Sequence, residues 1–349
     1  MLTIIKKNKL LYNLLLKVHR KIFFIKRYVT ADRIAGVKFV DGGERYLLLR
    51  YKNSASGLMT MMLNALGWIH FAESKNYKLL IDIKNDFACY GGKAKTGWND
   101  FFLQPMVKNN FEEKDIEEMI ADGRCMVCPN GNTRFNLRFY DTFYRKLSVF
   151  IKPKIMFPQP RDYKNNIELH REYSNLYKKY IHFNPKVMNY LLEEYESILK
   201  DKGKILGIIA RGTDYVQLKP SLHPIQPSID EIISKAKGLR TDYFWEYIYL
   251  ATEEKAIVER FEEAFPGKIL INKRSYYDGD YSNKYLCEVK NEREDDEYLR
   301  NLEYLSSMNL LANCHMLIGG MCGGSQAVLI MRGDKPYEYL YLFDFGDYK

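Results

Sequence analysis

Arg211 stands directly after the apolar run 206–210, LGIIA, with Thr213 and Asp214 close behind it and Lys219-Pro220 and His223-Pro224 further on. A guanidinium at the tip of a buried strand presents a planar fork of donors, which suits a diphosphate or a carboxylate. Asp214 is the candidate to orient it, and Thr213 the candidate to hold the turn. An Arg–Asp ion pair that only closes the loop is the plainer alternative. The second chemical feature is GGMCGGSQAVLIM, residues 319–331, where small residues precede a helical pattern whose first turn offers unpaired backbone N–H groups. Phosphate is the natural ligand of such a turn, although close packing of helix on strand also selects glycine. Together the two features point to a phosphorylated ligand. The chemistry they suit is electrostatic, with fixed charge and amide dipoles meeting negative charge as it develops on a leaving group.

Other candidates are weaker. TGWNDFFLQP, residues 96–105, sets Trp98, Phe101 and Phe102 beside Asn99, Asp100 and Gln104, a mixture that suits stacking on sugar faces but equally suits packing. Asn53 and Ser54 lie in NSASG, a small polar loop after the apolar run YLLLRYK, and join Trp98 and Asp100 as candidates for ligand contact. Glu44, Asp82, Asp86 and Asp100 are the carboxylates available as a base. DGD at 278–280 resembles a divalent-cation motif but sits among Tyr and Ser in a loop. Cys125 and Cys128 form a lone CxxC with no second pair or nearby His pair to complete a zinc site. No metal is expected.

The elements that must position these residues alternate. YLLLRYK, a helix over 58–75 and YKLLIDI read as a βαβ opening; residues 84–180 read as loop-rich. Then follow a helix over 185–200, the strand KILGIIA, a helix opened by Ser228 as N-cap, WEYIYLAT, EEKAIVERFEEAF, KILINK and HMLIGG. Such alternation implies an α/β fold with parallel sheets covered by helices. In open parallel sheets ligands bind beyond the carboxyl ends of the strands. The 349 residues exceed what one core usually serves, so two domains are expected, 31–200 and 201–335, with a tail over 336–349.

Net charge is +9, yet residues 1–30 hold eight Lys and Arg and no acid, which leaves +1 for everything else. A general nucleic-acid surface spreads its basic residues over the folded body, so that class is disfavoured. Ile4, Leu11, Leu14, Leu15, Val18, Ile22 and Ile25 line one side of a helix whose other side is basic. No apolar run approaches the length of a membrane span. This arm is expected either to pack on its own domain or to lie on an anionic membrane surface. Six scattered cysteines and no secretory signal suit a reducing, cytoplasmic setting, with peripheral attachment to the inner face of the membrane where the arm binds lipid.

ARGTDY at a strand end, YLATEE after another strand and LIGGMCGGSQAVLIMR near the C-terminus resemble, in order and spacing, the donor-site motifs of the fucosyltransferase superfamily, which includes α1,6-fucosyltransferases, nodulation fucosyltransferases and protein O-fucosyltransferases. The stretch from YLLLRYK to YKLLIDI looks like that superfamily's opening strand, loop and helix. The resemblance implies a GT-B architecture, two Rossmann-like domains facing across a cleft, with 31–200 on the acceptor side, where Asn53, Ser54, Trp98 and Asp100 are the candidates, and 201–335 on the donor side. It also implies an inverting transferase that needs no metal or cofactor and uses a nucleotide sugar, GDP-fucose first, as co-substrate for a glycan. With the basic arm, a lipid-linked glycan is the expected acceptor; another sugar nucleotide, or a non-catalytic glycan- or membrane-binding protein of the same fold, is the alternative. By the same resemblance Arg211 is the phosphate-binding arginine with Thr213 and Asp214 after it. Gly323, Gly324, Ser325 and Gln326 form the phosphate loop, and Glu253 or Glu254 stands for the usual aspartate. The chain departs from the pattern at Ile209, where a guanine-holding histidine is common, and at Gly212, where a second arginine is; Lys219 or Arg332 could supply that contact.

Overall fold

A computed structural model describes residues 43–52, 57–74, 76–84, 97–107, 111–127, 167–211, 214–220, 223–279, 289 and 291–348. The basic arm, Asn53, Ser54, Asp86, Cys128, Thr213 and Asp280 lie outside the described residues.

The first sheet is built from β1 (Tyr46–Lys52), the helix α1 (Leu58–Ser74), β2 (Lys78–Lys84), α2 (Glu113–Ala121) and β3 (Cys125–Val127). Its order is β2-β1-β3, all parallel. Helices α3 (Ile167–Tyr180) and α4 (Pro185–Ile198) follow. The second sheet comprises β4 (Ile205–Ile209), the short helix α5 (Asp214–Leu218), α6 (Ile229–Leu239), β5 (Tyr247–Ala251), α7 (Lys255–Ala264), β6 (Ile269–Leu270), α8 (Asp296–Asn313), β7 (Met316–Gly320), α9 (Gly323–Arg332) and β8 (Tyr339–Phe343). Its order is β6-β5-β4-β7-β8, again parallel throughout. The chain winds outward from β4 in one direction, then returns to β4's other side with β7. Between β4 and β7, therefore, successive connections leave on opposite faces and a crevice opens at the carboxyl edge.

Helix covers both faces of β4, which explains why its residues read as one apolar run. Ile205 and Ile209 enter the core under α8, while Leu206 and Ile208 enter the core under α6 and α7 with Trp245 and Phe261. Ser228 caps α6 as its sequence predicts: its hydroxyl accepts from the Glu231 amide at 3.2 Å, and the Glu231 carboxylate accepts from the Ser228 amide at 2.8 Å.

Several expectations change. Segment 84–180 is not merely loop, since it contains α2, β3 and α3. The tail assigned to 336–349 supplies β8, a full strand of the second sheet, paired to β7 from Tyr339 to Phe343. The long helix α8 had no counterpart in the sequence reading. The largest apolar core is also shared between the two sheets, running from Leu47 and α1 through Trp98, Phe101, Phe102 and Tyr173 to Leu317 and Ala327–Ile330. Helix α9 packs on α1 and α3 as well as on α8, and α4 packs on α8, so helices before residue 200 are built into the second sheet's layer.

Candidate functional site

The carboxyl ends of β4, β5 and β7 bring together three of the sequence motifs. Arg211 lies one residue beyond Ala210, whose amide still pairs with the Ala251 carbonyl at 3.0 Å, so the guanidinium departs from a backbone held by the sheet. Its Cζ rests over the Tyr215 ring, 3.5 Å from the centroid. Asp214 opens α5, but its side chain lies outside the described residues.

The glycine-rich turn after β7 ends in Cys322, the N-cap of α9. Its sulfur accepts from the Ser325 amide at 3.4 Å, and its carbonyl accepts from the Gln326 amide at 3.1 Å. The first-turn amides of Gly323 and Gly324 then remain to meet a ligand, as helix geometry leaves them no acceptor inside the helix. Ser325 is fully buried, and its hydroxyl donates to the Gly320 carbonyl at 2.5 Å. That side chain holds the turn's shape; what it can give a phosphate is the turn itself. Gln326 is 1% exposed, and neither end of its amide has a hydrogen-bond partner among the described residues. A buried, unsatisfied amide costs about 1–3 kcal/mol, so Gln326 can take a partner that the described residues do not provide. Gly323 has no room for a side chain, because a Cβ there would stand 2.9 Å from the Thr60 hydroxyl of α1. The N-terminal turns of α1 and α9 thus meet across the two sheets.

Glu253 follows β5 by two residues and accepts from Arg274 Nη2 at 3.0 Å. The Arg274 side chain is 2% exposed, and its Nε has no partner among the described residues. The Glu253 carbonyl accepts from the Tyr277 amide at 2.8 Å, and Tyr277 in turn accepts the Lys255 amide at 3.0 Å, a clasp that fixes the turn. Tyr304 of α8 ties the pieces together. Burial pushes its phenol up, and Cys322, Arg211, Glu253 and Tyr215 all lie close enough to act on it electrostatically. Arg211, the α9 turn and Glu253 therefore share the neighbourhood of Tyr304, whose hydroxyl also lies against Gly324, and Glu253 is itself held by a buried arginine.

Other candidates fall elsewhere. Trp98 is 0% exposed; its indole N–H donates to the Leu103 carbonyl at 2.9 Å and its ring lies 4.5 Å from that of Phe102. It is a packing residue with no face for a sugar, which corrects its assignment to the acceptor side. The segment is pinned by Asn184, whose side-chain amide donates to the carbonyls of Asn99 and Asp100, and Phe101 stacks on Tyr298 of α8 at 5.3 Å. Burial pushes the Tyr298 phenol up, and the nearby Asp100 adds to the shift. Gln104 pairs with both the N–H and C=O of Ile81, so it closes the edge of β2 as a strand would. Glu44 precedes β1 and is therefore at the amino edge of its sheet, bonded to Lys78 and the Tyr46 hydroxyl; the position removes it as a base. Arg332 is no phosphate ligand either. It donates to the carbonyls of Ala312, Cys314, Lys335 and Pro336, capping α8 at the far end of α9. Lys219 is exposed after α5, in left-handed backbone at φ 43°. Asp278 pairs with Lys255 at 2.9 Å, and Cys125 is buried in β3.

Sequence reasoning missed Arg274, Tyr215, Thr60 and Tyr304. Arg274 was findable, since it follows β6 at the same edge; the other three depend on which helices meet.

No protein-family model matches the chain, and no curated protein matches it. Among solved structures it is similar to the fucosyltransferase NodZ from Bradyrhizobium, at 11% identity and TM-score 0.44, over 83% of this chain and 93% of that one. It is similar to a mutant of Arabidopsis thaliana FUT1 in complex with GDP, at 12% identity and TM-score 0.46, over 83% and 69%. A third is POFUT1 in complex with GDP-fucose, at 9% identity and TM-score 0.43, over 87% and 99%.

Proposed function

We propose that this chain is an inverting glycosyltransferase of GT-B type that moves a sugar from a nucleoside diphosphate to a glycan without a metal, with GDP-fucose as the first donor to test. The observation that carries the reading is that Arg211 and the first turn of α9 follow the neighbouring strands β4 and β7, paired at Ile209 and Gly319, at the reversal point of the second sheet. The acceptor oxygen bonds to the anomeric carbon as the bond from that carbon to the diphosphate breaks, and the electron pair leaves with the diphosphate. Arg211 and the amides of Gly323 and Gly324 meet the charge that develops there. Gln326 supplies an amide to the same group, and Thr213 and Asp214 complete the loop. The acceptor proton passes to a carboxylate from the first sheet's side, where Asp100, Asp82 and Asp86 remain candidates, or to a phosphate oxygen.

The acceptor in this reading is a lipid-linked oligosaccharide or surface polysaccharide precursor. Residues 1–30, with their basic face and apolar stripe, hold the enzyme on the inner face of the membrane, and Asn53 and Ser54 lie on the acceptor side.

One observation favours keeping other sugar nucleotides in view. Ile209 is buried, and a Cβ added at Gly319 would come within 2.9 Å of the Ile209 Cβ, so this position turns into the core and offers nothing to a base. The test is release of nucleoside diphosphate from GDP-fucose and from a panel of other sugar nucleotides, with and without EDTA. Arg211→Ala is expected to lower release by about 100-fold or more. Absence of release and of calorimetric binding with every donor would overturn the proposal, and EDTA sensitivity would overturn its metal independence.

A further inference from the structure

The loop that leaves Arg211 returns along a line of contacts that ends at the chain's C-terminus. Tyr215 lies under Arg211, and its ring meets His223 edge to face at 5.3 Å and 73°. The carbonyl of His223 accepts from the Tyr348 amide at 2.9 Å, the amide of Ile225 donates to the Gly346 carbonyl at 2.9 Å, and Pro224 bridges to Asp347. On its other side the loop is fastened to the glycine-rich turn. The buried Gln226 amide donates to the carbonyls of Pro224 and Met321, each at 2.9 Å. Gly320 has to be glycine for this, because its missing Cβ leaves the space that Gln226 and Pro227 fill.

From this arrangement we infer that Tyr215 is the positioning residue for Arg211, and that it acts through its ring, which is set by His223 and by the C-terminal segment behind it. The inference rests on the reading that Arg211 binds the donor diphosphate. Its physical reason is the geometry of the guanidinium. A carboxylate partner takes N–H donors lying in the guanidinium plane, the same donors a diphosphate needs. An aromatic ring at 3.5 Å takes the π-face, which restrains the rotation of Arg211 without itself using the in-plane donors. The ring is partly buried and lies close enough to act on Tyr304, so it stands in the same neighbourhood as Glu253 and Cys322. Restraint matters because an arginine that is already oriented loses less side-chain entropy when the ligand binds.

The experiment is calorimetric titration of the full chain with GDP and with guanosine, for the wild type, Y215L, Y215F and R211A. Y215L is expected to bind GDP about 3- to 30-fold more weakly, the span of a partly desolvated cation–π contact, while guanosine binding changes by less than about twofold. A loss confined to the nucleotide that carries phosphates is something a merely structural defect does not produce. Y215F keeps the ring and loses the hydroxyl, so it should stay within about threefold of the wild type. Equal GDP affinity for Y215L and the wild type, with R211A defective, overturns the inference and leaves the donor reading standing. Equal weakening of Y215F and Y215L overturns the ring's role in favour of the hydroxyl. If R211A binds GDP as the wild type does, the donor reading of Arg211 fails and this inference fails with it; if the wild type binds neither ligand, guanine is excluded as the base, and the same comparison on the nucleoside diphosphate and nucleoside of the donor that does release decides the inference by the same outcomes.

Discussion

Trp98→Ala separates a residue that builds the fold from one that touches a ligand. A fully buried tryptophan removes on the order of 150–250 Å² from water, which at about 25 cal/mol per Å² corresponds to about 4–6 kcal/mol. Large-to-small changes of this type in cores cost about 3–5 kcal/mol. The lost hydrogen bond adds little, because Leu103, whose carbonyl accepts it, is exposed and can turn to water. About 4 kcal/mol is therefore the expectation, measured as the change in unfolding free energy by urea titration at constant slope. Since Trp98 belongs to the core shared by the two sheets, the whole transition should move as one, without a second phase left at the wild-type midpoint. Trp98→Phe, which keeps a ring against Phe102, should cost about 1–2 kcal/mol and leave GDP binding in place. A Trp98→Ala protein within about 0.5 kcal/mol of the wild type, or a Trp98→Phe protein of normal stability that has lost transfer to acceptor, would refute the packing assignment.

Three further outcomes follow from buried charge and from the arm. His170 of α3 is buried, and burial pushes its imidazole down to about 4 from an ordinary 6.5; the unfolded chain binds the extra proton between those values, so stability falls as pH falls through them, by about 2 kcal/mol at pH 5. Urea unfolding of wild type and His170→Asn at pH 7 and pH 5 checks this, and an equal pH slope in the two proteins counts against it. Glu253→Gln strips the buried Arg274 of its charged partner and should cost about 1–3 kcal/mol, less than for a fully buried pair because Glu253 is itself 37% exposed; a double mutant with Arg274→Met should recover part of that loss, and simple additivity would argue against the coupling. Deleting residues 1–30 should move the protein from the membrane fraction to the soluble one with GDP affinity kept, and unchanged sedimentation would sink the membrane role of the arm.

The parts of the site that were legible in the sequence are those where chain order and spatial order coincide. Residues 206–210 read as a buried strand because both faces of β4 are covered, and Arg211 then has to stand at the strand's end. The glycine-rich turn was legible for the same reason, as Met316–Gly320 is apolar and the turn follows directly. β8 was not legible: as an edge strand its Tyr339, Leu340, Tyr341 and Leu342 are only partly buried, so the apolar signal of a central strand is absent. Helix α8 was hidden by its surroundings. It is buried nearly all round, with Asp296, Arg300, Asn301 and Glu303 inside, and Arg293 pairs with both Asp296 and Glu303. Polar residues that partner one another in the interior erase the 3.6-residue alternation on which a sequence reading depends. Trp98 failed for the opposite reason, because a polar neighbourhood in sequence became an apolar one in space.

The shared core also bears on how such a site can work. Two domains that close over a donor need an interface they can leave, yet α9 is buried between α8, α1 and α3, and Ala327, Val328, Leu329 and Ile330 all lie in the common core. Parting the sheets at this helix would expose apolar area worth several kcal/mol. It would also pull Thr60 away from the glycine that makes room for it. The end of the candidate site at the first turn of α9 is accordingly fixed by packing from both sheets. Arg211 is tied in as well, through Tyr215 to His223 and the C-terminal segment, while Gln226 fastens the glycine-rich turn, so both features stand on parts of the molecule that hold one another in place.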